Sequence, residues 1–441
     1  MRNSMMRRFA AIAVACTMLA ACGDSWLGDS APAPLPGKRI SVLSQAKSLE
    51  IDASGGPIVL PAPEHVADWP EVGGYPPHAM YHLALPGPVE HVWTADVGTG
   101  GDKRHAFLTQ PVVAGGKVFA MDAEAVVSAF DLKDGKRLWR SDMAPEDADG
   151  GSFGGGIAFD DGRLFATTGF GEVLAVDEKD GHVLWRKSLT APSRGAPTAR
   201  AGRVLVVTIE NETLALSAED GHQLWRHSGI AEPAALMGGT SPAVDGNTVL
   251  APYTSGELFA LRVENGTVLW SDVVSSIRRT DQVAELSDIR GLPVVDRGHV
   301  YAVGNSDVFV AIDLRTGRRL WDRAVGSVQT PWVAGDFIFV VSNRPELICI
   351  DARNGHARWV TTLPEWTDEE DKKGRIVWTG PVLASDRLIV ASSSGKALSV
   401  SPYTGAILSE EELPDGVTIP PVVASDTLLF TTEAGDLLAY R

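Results

Sequence analysis

The sequence predicts an all-β fold, an eight-bladed β-propeller of four-stranded antiparallel blades, on three observations. A hairpin phrase ending in Leu-Trp returns about every 44 residues, the length of one propeller blade. A second signature, a Pro-led apolar run, recurs between the copies. The two ends of the repeat carry complementary defects, a lone outer strand at the start and three strands without a fourth at the end.

Taken in order, residues 1–21 read as a lipoprotein signal peptide. Arg2, Arg7 and Arg8 precede an apolar run from Phe9 to Leu19, well short of the roughly 20 residues that span a bilayer. Leu19-Ala20-Ala21-Cys22 resembles the bacterial lipobox, which implies cleavage before Cys22 and lipidation of its thiol. Several acyl chains on one residue hold a protein firmly, at about 0.8 kcal/mol per buried CH₂. Gly23 rather than an acid follows Cys22, and by the enterobacterial sorting pattern this implies the outer membrane. Residues 22–37 end in Ala31-Pro32-Ala33-Pro34-Leu35-Pro36-Gly37, an extended tether. Residues 38–88 mix short β-like runs with Pro, Gly and His. Their apolar and aromatic content predicts an extension packed on the outside of the main body, through Trp69 and Tyr75, rather than disorder.

The propeller itself is placed at residues 89–441. His91-Val92-Trp93-Thr94 is an outer strand with no hairpin partner before it, and the closing stretch from Pro421 to Tyr440 supplies three strands that lack one. A ring closed by the N-terminal strand leaves no open edge. The phrase is clearest as Leu174-Ala175-Val176-Asp177 with Gly181-His182-Val183-Leu184-Trp185. Alternating apolar residues make a half-buried strand, Asp and Gly supply the turn, and the next strand carries Leu-Trp. Copies end at Trp139, Trp185, Trp225, Trp270, Trp321 and Trp359, and a worn copy runs from Gly405 to Leu408, where Leu408 stands for the Trp. With Trp93, these indoles read as docking between blades rather than as a stacking platform for substrate. Pro111, Pro197, Pro242, Pro293, Pro331, Pro381 and Pro421 each open an innermost strand, where the missing N–H costs the ladder nothing. Gly150 to Gly156 lacks the Lys-[Ser/Thr] ending of a phosphate loop and reads as a flexible connection between blades. The charged run from Trp366 to Lys373 reads as a solvated loop.

Composition narrows the function. There are 39 Lys and Arg against 56 Asp and Glu, and removal of the leader leaves 36 against 56, a net charge of −20. Such a surface repels phosphate backbones, so nucleic acid is excluded as a partner. Cys16 and Cys22 belong to the leader region, which leaves Cys349 alone in the repeat body and rules out an intramolecular disulfide there. It fills the slot that Ala129, Ala175, Ala215, Ala260 and Ala311 hold in sister copies, so it reads as a small buried residue, not a nucleophile. His182, His222 and His356 each follow a turn Gly and read as surface residues rather than metal ligands.

The repeat resembles the PQQ-type propeller repeat over roughly residues 91–441. Fold alone does not settle function. Of the two families that share it, quinoprotein dehydrogenases imply a vicinal Cys pair and an acidic Ca²⁺ site, neither of which the sequence offers. The chain resembles instead the BamB family of outer-membrane lipoproteins. That resemblance implies no cofactor, no metal and no catalysis. It implies a scaffold that docks on a POTRA domain of the barrel-forming subunit of the β-barrel assembly machinery, anchored to the periplasmic face of the outer membrane, with unfolded outer-membrane proteins as a further partner. Two docking loops are matched: Ala191, Ser193 and Arg194 before the third blade, and Asp288 with Arg290 before the fifth. Both connect an outer strand to the next inner strand, so both emerge on one face.

Overall fold

The computed structural model describes residues 49, 51–52, 55–101, 109–146, 154–193, 195–232, 236, 238–275 and 287–441. Its body is residues 49–441. The leader, Cys22, the tether, Arg194 and the loop residues 276–286 lie outside the described residues. Eight four-stranded antiparallel sheets follow one another: residues 112–142, 155–188, 198–228, 243–273, 294–323, 332–362 and 378–412 form the first seven blades. The eighth joins Val422–Ala424, Thr427–Thr431 and Asp436–Tyr440 to His91–Asp96, whose Trp93 lies opposite Ala439. Main-chain bonds between Glu90 and Arg441, at 2.7 and 2.9 Å, clamp that junction.

Within each of the first six blades a small residue faces the Trp across the outer hairpin: Ala129 opposite Trp139, Ala175 opposite Trp185, and so on to Cys349 opposite Trp359. A bulge follows each pair, which strengthens the local twist. The pairing explains the Ala slot, because a large ring needs a small cross-strand neighbour. Cys349 is fully buried in that slot, and burial pushes its thiol pKa well up.

Each indole leans across the seam onto the next blade. Its N–H donates to a carbonyl of that blade's outer turn, Trp93 to Leu132, Trp139 to Glu178, and likewise through Trp185, Trp225, Trp270, Trp321 and Trp359, at 2.7 to 3.1 Å. The ring also lies flat against the turn glycine: a Cβ on Gly181 would stand 2.5 Å from Trp139. That glycine adopts φ +79, so backbone conformation and close approach demand the same residue.

Three expectations need correction. Ser399 pairs with Ser409 in the seventh blade, so Ser409, not Leu408, takes the Trp position, and Leu408 matches the exposed Leu184. The eighth blade draws its third and fourth strands from distant parts of the chain, so it has no Asp-Gly turn for a seventh-blade Trp to meet. Gly155 and Gly156 open the inner strand of the second blade rather than a loop, and that blade has no Pro signature. Their lack of side chains is required: a Cβ on Gly155 would sit 2.2 Å from the Thr167 carbonyl oxygen. The acidic run forms a short hairpin, Trp366–Asp368 with Lys373–Arg375, turned by Asp371 N–H on Asp368 Oδ1 at 3.0 Å.

Residues 64–85 form a strap that crosses the face where inner strands turn back. It meets the blades in ring order. Val66 accepts from Ser425 of the eighth blade, Trp69 exchanges two bonds with Val113 of the first, and Pro70 accepts from Phe159 of the second. Pro76 and Pro77 accept from Val244 and Val295 of the fourth and fifth, Tyr81 accepts from the Trp332 indole of the sixth, and Leu83 pairs with Leu383 and Ser385 of the seventh. Trp69 is buried in this strap at 1% exposure, whereas Tyr75 points outward at 41%.

Candidate functional site

The opposite face carries the loops that join each outer strand to the next inner strand. Three of them, leading into the third, fourth and fifth blades, form one contiguous patch. Gly195 abuts Thr240 so closely that a Cβ there would come 2.1 Å from its carbonyl oxygen, and Ser241 Oγ donates to Ala196 O at 2.8 Å. Further along, Leu236 N–H donates to Asp288 Oδ2 at 2.6 Å, and Gly238 packs on the Arg290 guanidinium. The loop at 236–241 therefore bridges the two that sequence matching singled out.

The matched residues do different work from one another. Ala191 and Ser193 are buried, and Ser193 Oγ sits 2.8 Å from Val207 O and 3.0 Å from Gly195 O, holding its loop to the third blade. Asp288 is buried as well, its carboxylate tying down the neighbouring loop. These three shape the patch rather than present side chains from it. Arg194, between two described neighbours, lies outside the described residues. Arg290 turns inward. It lines the mouth of the central channel, where burial draws its guanidinium pKa below the ordinary value while Asp288 pulls it the other way.

That channel is a cup. The strap closes one end with Trp69, Val72, Gly73 and His78, and the cavity above it holds about 630 Å³, within the range of small-molecule sites. Trp69 and Trp332 stack at its floor, ring centroids 6.3 Å apart. Gln110 locks strap to ring: its Oε1 accepts from Trp69 Nε1 and Gly73 N–H, and its Nε2 donates to Pro420 O. The sequence predicts an extension packed on the body through Trp69, which the strap is, but not its course across the ring or the cup it closes; the signal for those was the apolar spacing of Trp69, Met80, Leu83 and Leu85 without a strand or helix period. His182 and His222 are exposed turn residues that bond Asp180 and Asp220 two positions earlier. Among the described residues no three His, Cys, Asp or Glu side chains converge on a metal-sized site.

Comparison with known proteins separates the two propeller families. The family model described as outer membrane protein assembly factor BamB matches residues 90–150 and 123–361. The BamB of Alkalilimnicola ehrlichii is 36% identical over 353 residues, covering 80% of this chain and 88% of that protein. The BamB of Yersinia pestis is 27% identical over 355 residues, covering 79% and 88%. Among solved structures, BamB from Moraxella catarrhalis superposes with a TM-score of 0.68 at 20% identity, over 80% of this chain and all of that one. A europium-containing methanol dehydrogenase gives the same TM-score, 0.68, at 14% identity over 85% and 98%. Backbone likeness at these identities speaks for the propeller alone, and sequence identity discriminates between the families.

Proposed function

Because the chain belongs to the BamB family of outer membrane protein assembly factors, we propose that it is a non-catalytic scaffold that assists the folding and insertion of outer-membrane β-barrel proteins. The observation that carries this is the family match over most of the propeller, joined to 36% identity with a BamB across 80% of the chain. The partner is the barrel-forming subunit of the assembly machinery, engaged through a POTRA domain, with unfolded outer-membrane proteins as further clients. Cys22 carries lipid and holds the propeller at the periplasmic face of the outer membrane by the tether of residues 22–37. The oxidoreductase alternative rests on backbone likeness at 14% identity, which speaks for the propeller alone.

The docking face is the contiguous patch of three loops. Arg194 supplies its charge, while Ala191, Ser193 and Asp288 fix the loop shapes through the contacts that bury them. A shape-fixing acid and a contacting base fail differently. Affinity capture from detergent-solubilised envelopes should retain the barrel-forming subunit on the wild-type protein and lose most of it on Arg194→Glu. Asp288→Ala should weaken capture several-fold by freeing Leu236. Capture by wild type and Arg194→Glu alike would move the docking face elsewhere, and capture by neither would remove the assembly role.

A further inference from the structure

The cup has more hydrogen-bond donors than acceptors on one wall. Arg290 has no hydrogen-bond partner among the described residues, and the carboxylate nearest it, Asp288, is already engaged by Leu236 N–H. Thr330 Oγ1 accepts from Leu292 N–H at 3.1 Å, which leaves its own proton without an acceptor among those residues. Gln329 Oε1 accepts from Thr379 Oγ1 at 3.1 Å, and its amide NH₂ likewise bonds no described residue. All three line the cavity just ahead of the fifth and sixth blades. Gln110, by contrast, has both ends of its amide satisfied.

These donors face the open cup, where water meets them when no ligand is bound, and a charged acceptor that displaces that water in a partly dry pocket gains a charge-assisted bond. Here the missing partner is an acceptor, and the lone guanidinium asks for one negative charge. Among the described residues the one carboxylate lining the cup, Glu433, belongs to the eighth blade, three blades round the ring from Arg290. One cation against that distant anion suits a monoanion and disfavours a dianion such as phosphate. The floor sets the remainder of the ligand: the Trp69 and Trp332 rings, with Val328, Leu292 and Ile419, offer apolar surface. We propose that the cup binds a small carboxylate carried on an apolar body, the carboxylate on Arg290, Thr330 and Gln329 and the body on the tryptophan floor. The two sources of such a group are a free organic acid and the carboxy-terminal residue of a polypeptide entering from the loop face. The site shares Arg290 with the loop that packs on Gly238, but its contacts face the cup, and nothing in it depends on the assembly role.

The test is calorimetric titration of the full-length protein in detergent at 150 mM salt with four probes: 4-phenylbutyrate, 4-phenylbutyramide, and N-acetyl-Ala-Ala-Leu as free acid and as amide. At least one acid should bind at millimolar affinity or better, and its amide at least tenfold more weakly, since a charge-assisted pair in a partly dry site is worth about that factor. Arg290→Gln, checked for an unchanged melting temperature, should cost the acid about tenfold and leave the amide unaffected. Thr330→Val should cost the acid about threefold, and it carries the test if Arg290→Gln fails to fold. Tighter binding by the peptide acid identifies a chain end, and tighter binding by phenylbutyrate a free acid. Binding of neither acid, equal binding of acid and amide, or folded variants that bind the acid as the wild type does would each overturn the proposal.

Discussion

His78 should make the molecule measurably acid-sensitive. Its Nδ1 lies 2.8 Å from the Pro293 carbonyl oxygen, so the ring donates from Nδ1 and leaves Nε2 as a bare acceptor, buried without a partner. Burial lowers the imidazole pKa to about 4, the Pro293 bond opposing in part. A protonated ring is thus favoured in the unfolded chain, whose ordinary value is near 6.5. Between those two values the unfolded state binds more protons, so stability falls as pH drops through 6.5 and the loss is complete below 4. From pH 7.5 to pH 5 this group alone removes about 2 kcal/mol. Glu71 works against it in the same range. Burial raises its carboxyl pKa well above the ordinary value, so its folded form keeps a proton that the unfolded chain releases, and acidification relieves that cost. A difference measurement cancels Glu71 and every other group. His78 sits at φ +59, which Asn tolerates, so His78→Asn is the comparison variant. Urea unfolding at pH 7.5 and pH 5 should show the wild type losing about 2 kcal/mol more than His78→Asn. Parallel losses would refute the assignment of a neutral, trapped imidazole.

The seam glycines and tryptophans give two more predictions. Gly181→Ala forces a Cβ against Trp139 at φ +79, whereas Gly202 has φ +76 with nothing within 4 Å. The first should cost about 2–5 kcal/mol and the second about 1 kcal/mol in urea titrations, because only the first adds overpacking to left-handed strain. Equal losses would mean that the ring contact contributes nothing. Trp139→Phe, which strips the N–H from Glu178 O, should cost about 1–2 kcal/mol. Ser409→Trp should gain less than about 0.5 kcal/mol, since its seam has no turn to receive an indole. A gain equal to the Trp139 loss would contradict that account.

How much was legible depended on whether a residue obeys a period. The blades were, because strand alternation and the Asp-Gly turn repeat the same local chemistry at each copy, and a single register carries Ala129 against Trp139 and Cys349 against Trp359 alike. Where the chemistry changes once, the reading slipped. Leu408 is the last apolar residue of the worn phrase, yet the Trp falls four residues after the turn glycine in each of the other copies, and Ser409 holds that place after Gly405. Gly155 and Gly156 looked like a loop because glycine usually marks one, while here it answers a carbonyl at 2.2 Å from the position a Cβ would take.

The strap and the loop patch follow a different logic. The strap meets blade after blade around a ring, so its contacts are spaced by the circumference of the propeller and not by any repeat along its own chain: Val66 and Leu83 are 17 residues apart and reach adjacent blades. No window of sequence contains that geometry. The loops are harder still, because a matched residue type does not fix the direction of its side chain. Asp288 and Arg290 read as neighbouring charges on one docking rim, since residues two apart on a strand would share a side, but residues 287–290 form no strand and the two side chains part. One is buried holding Leu236 and the other lines the cup. Arg290 therefore adds no charge to the rim; it acts on the channel, and its consequence belongs to whatever enters the cup.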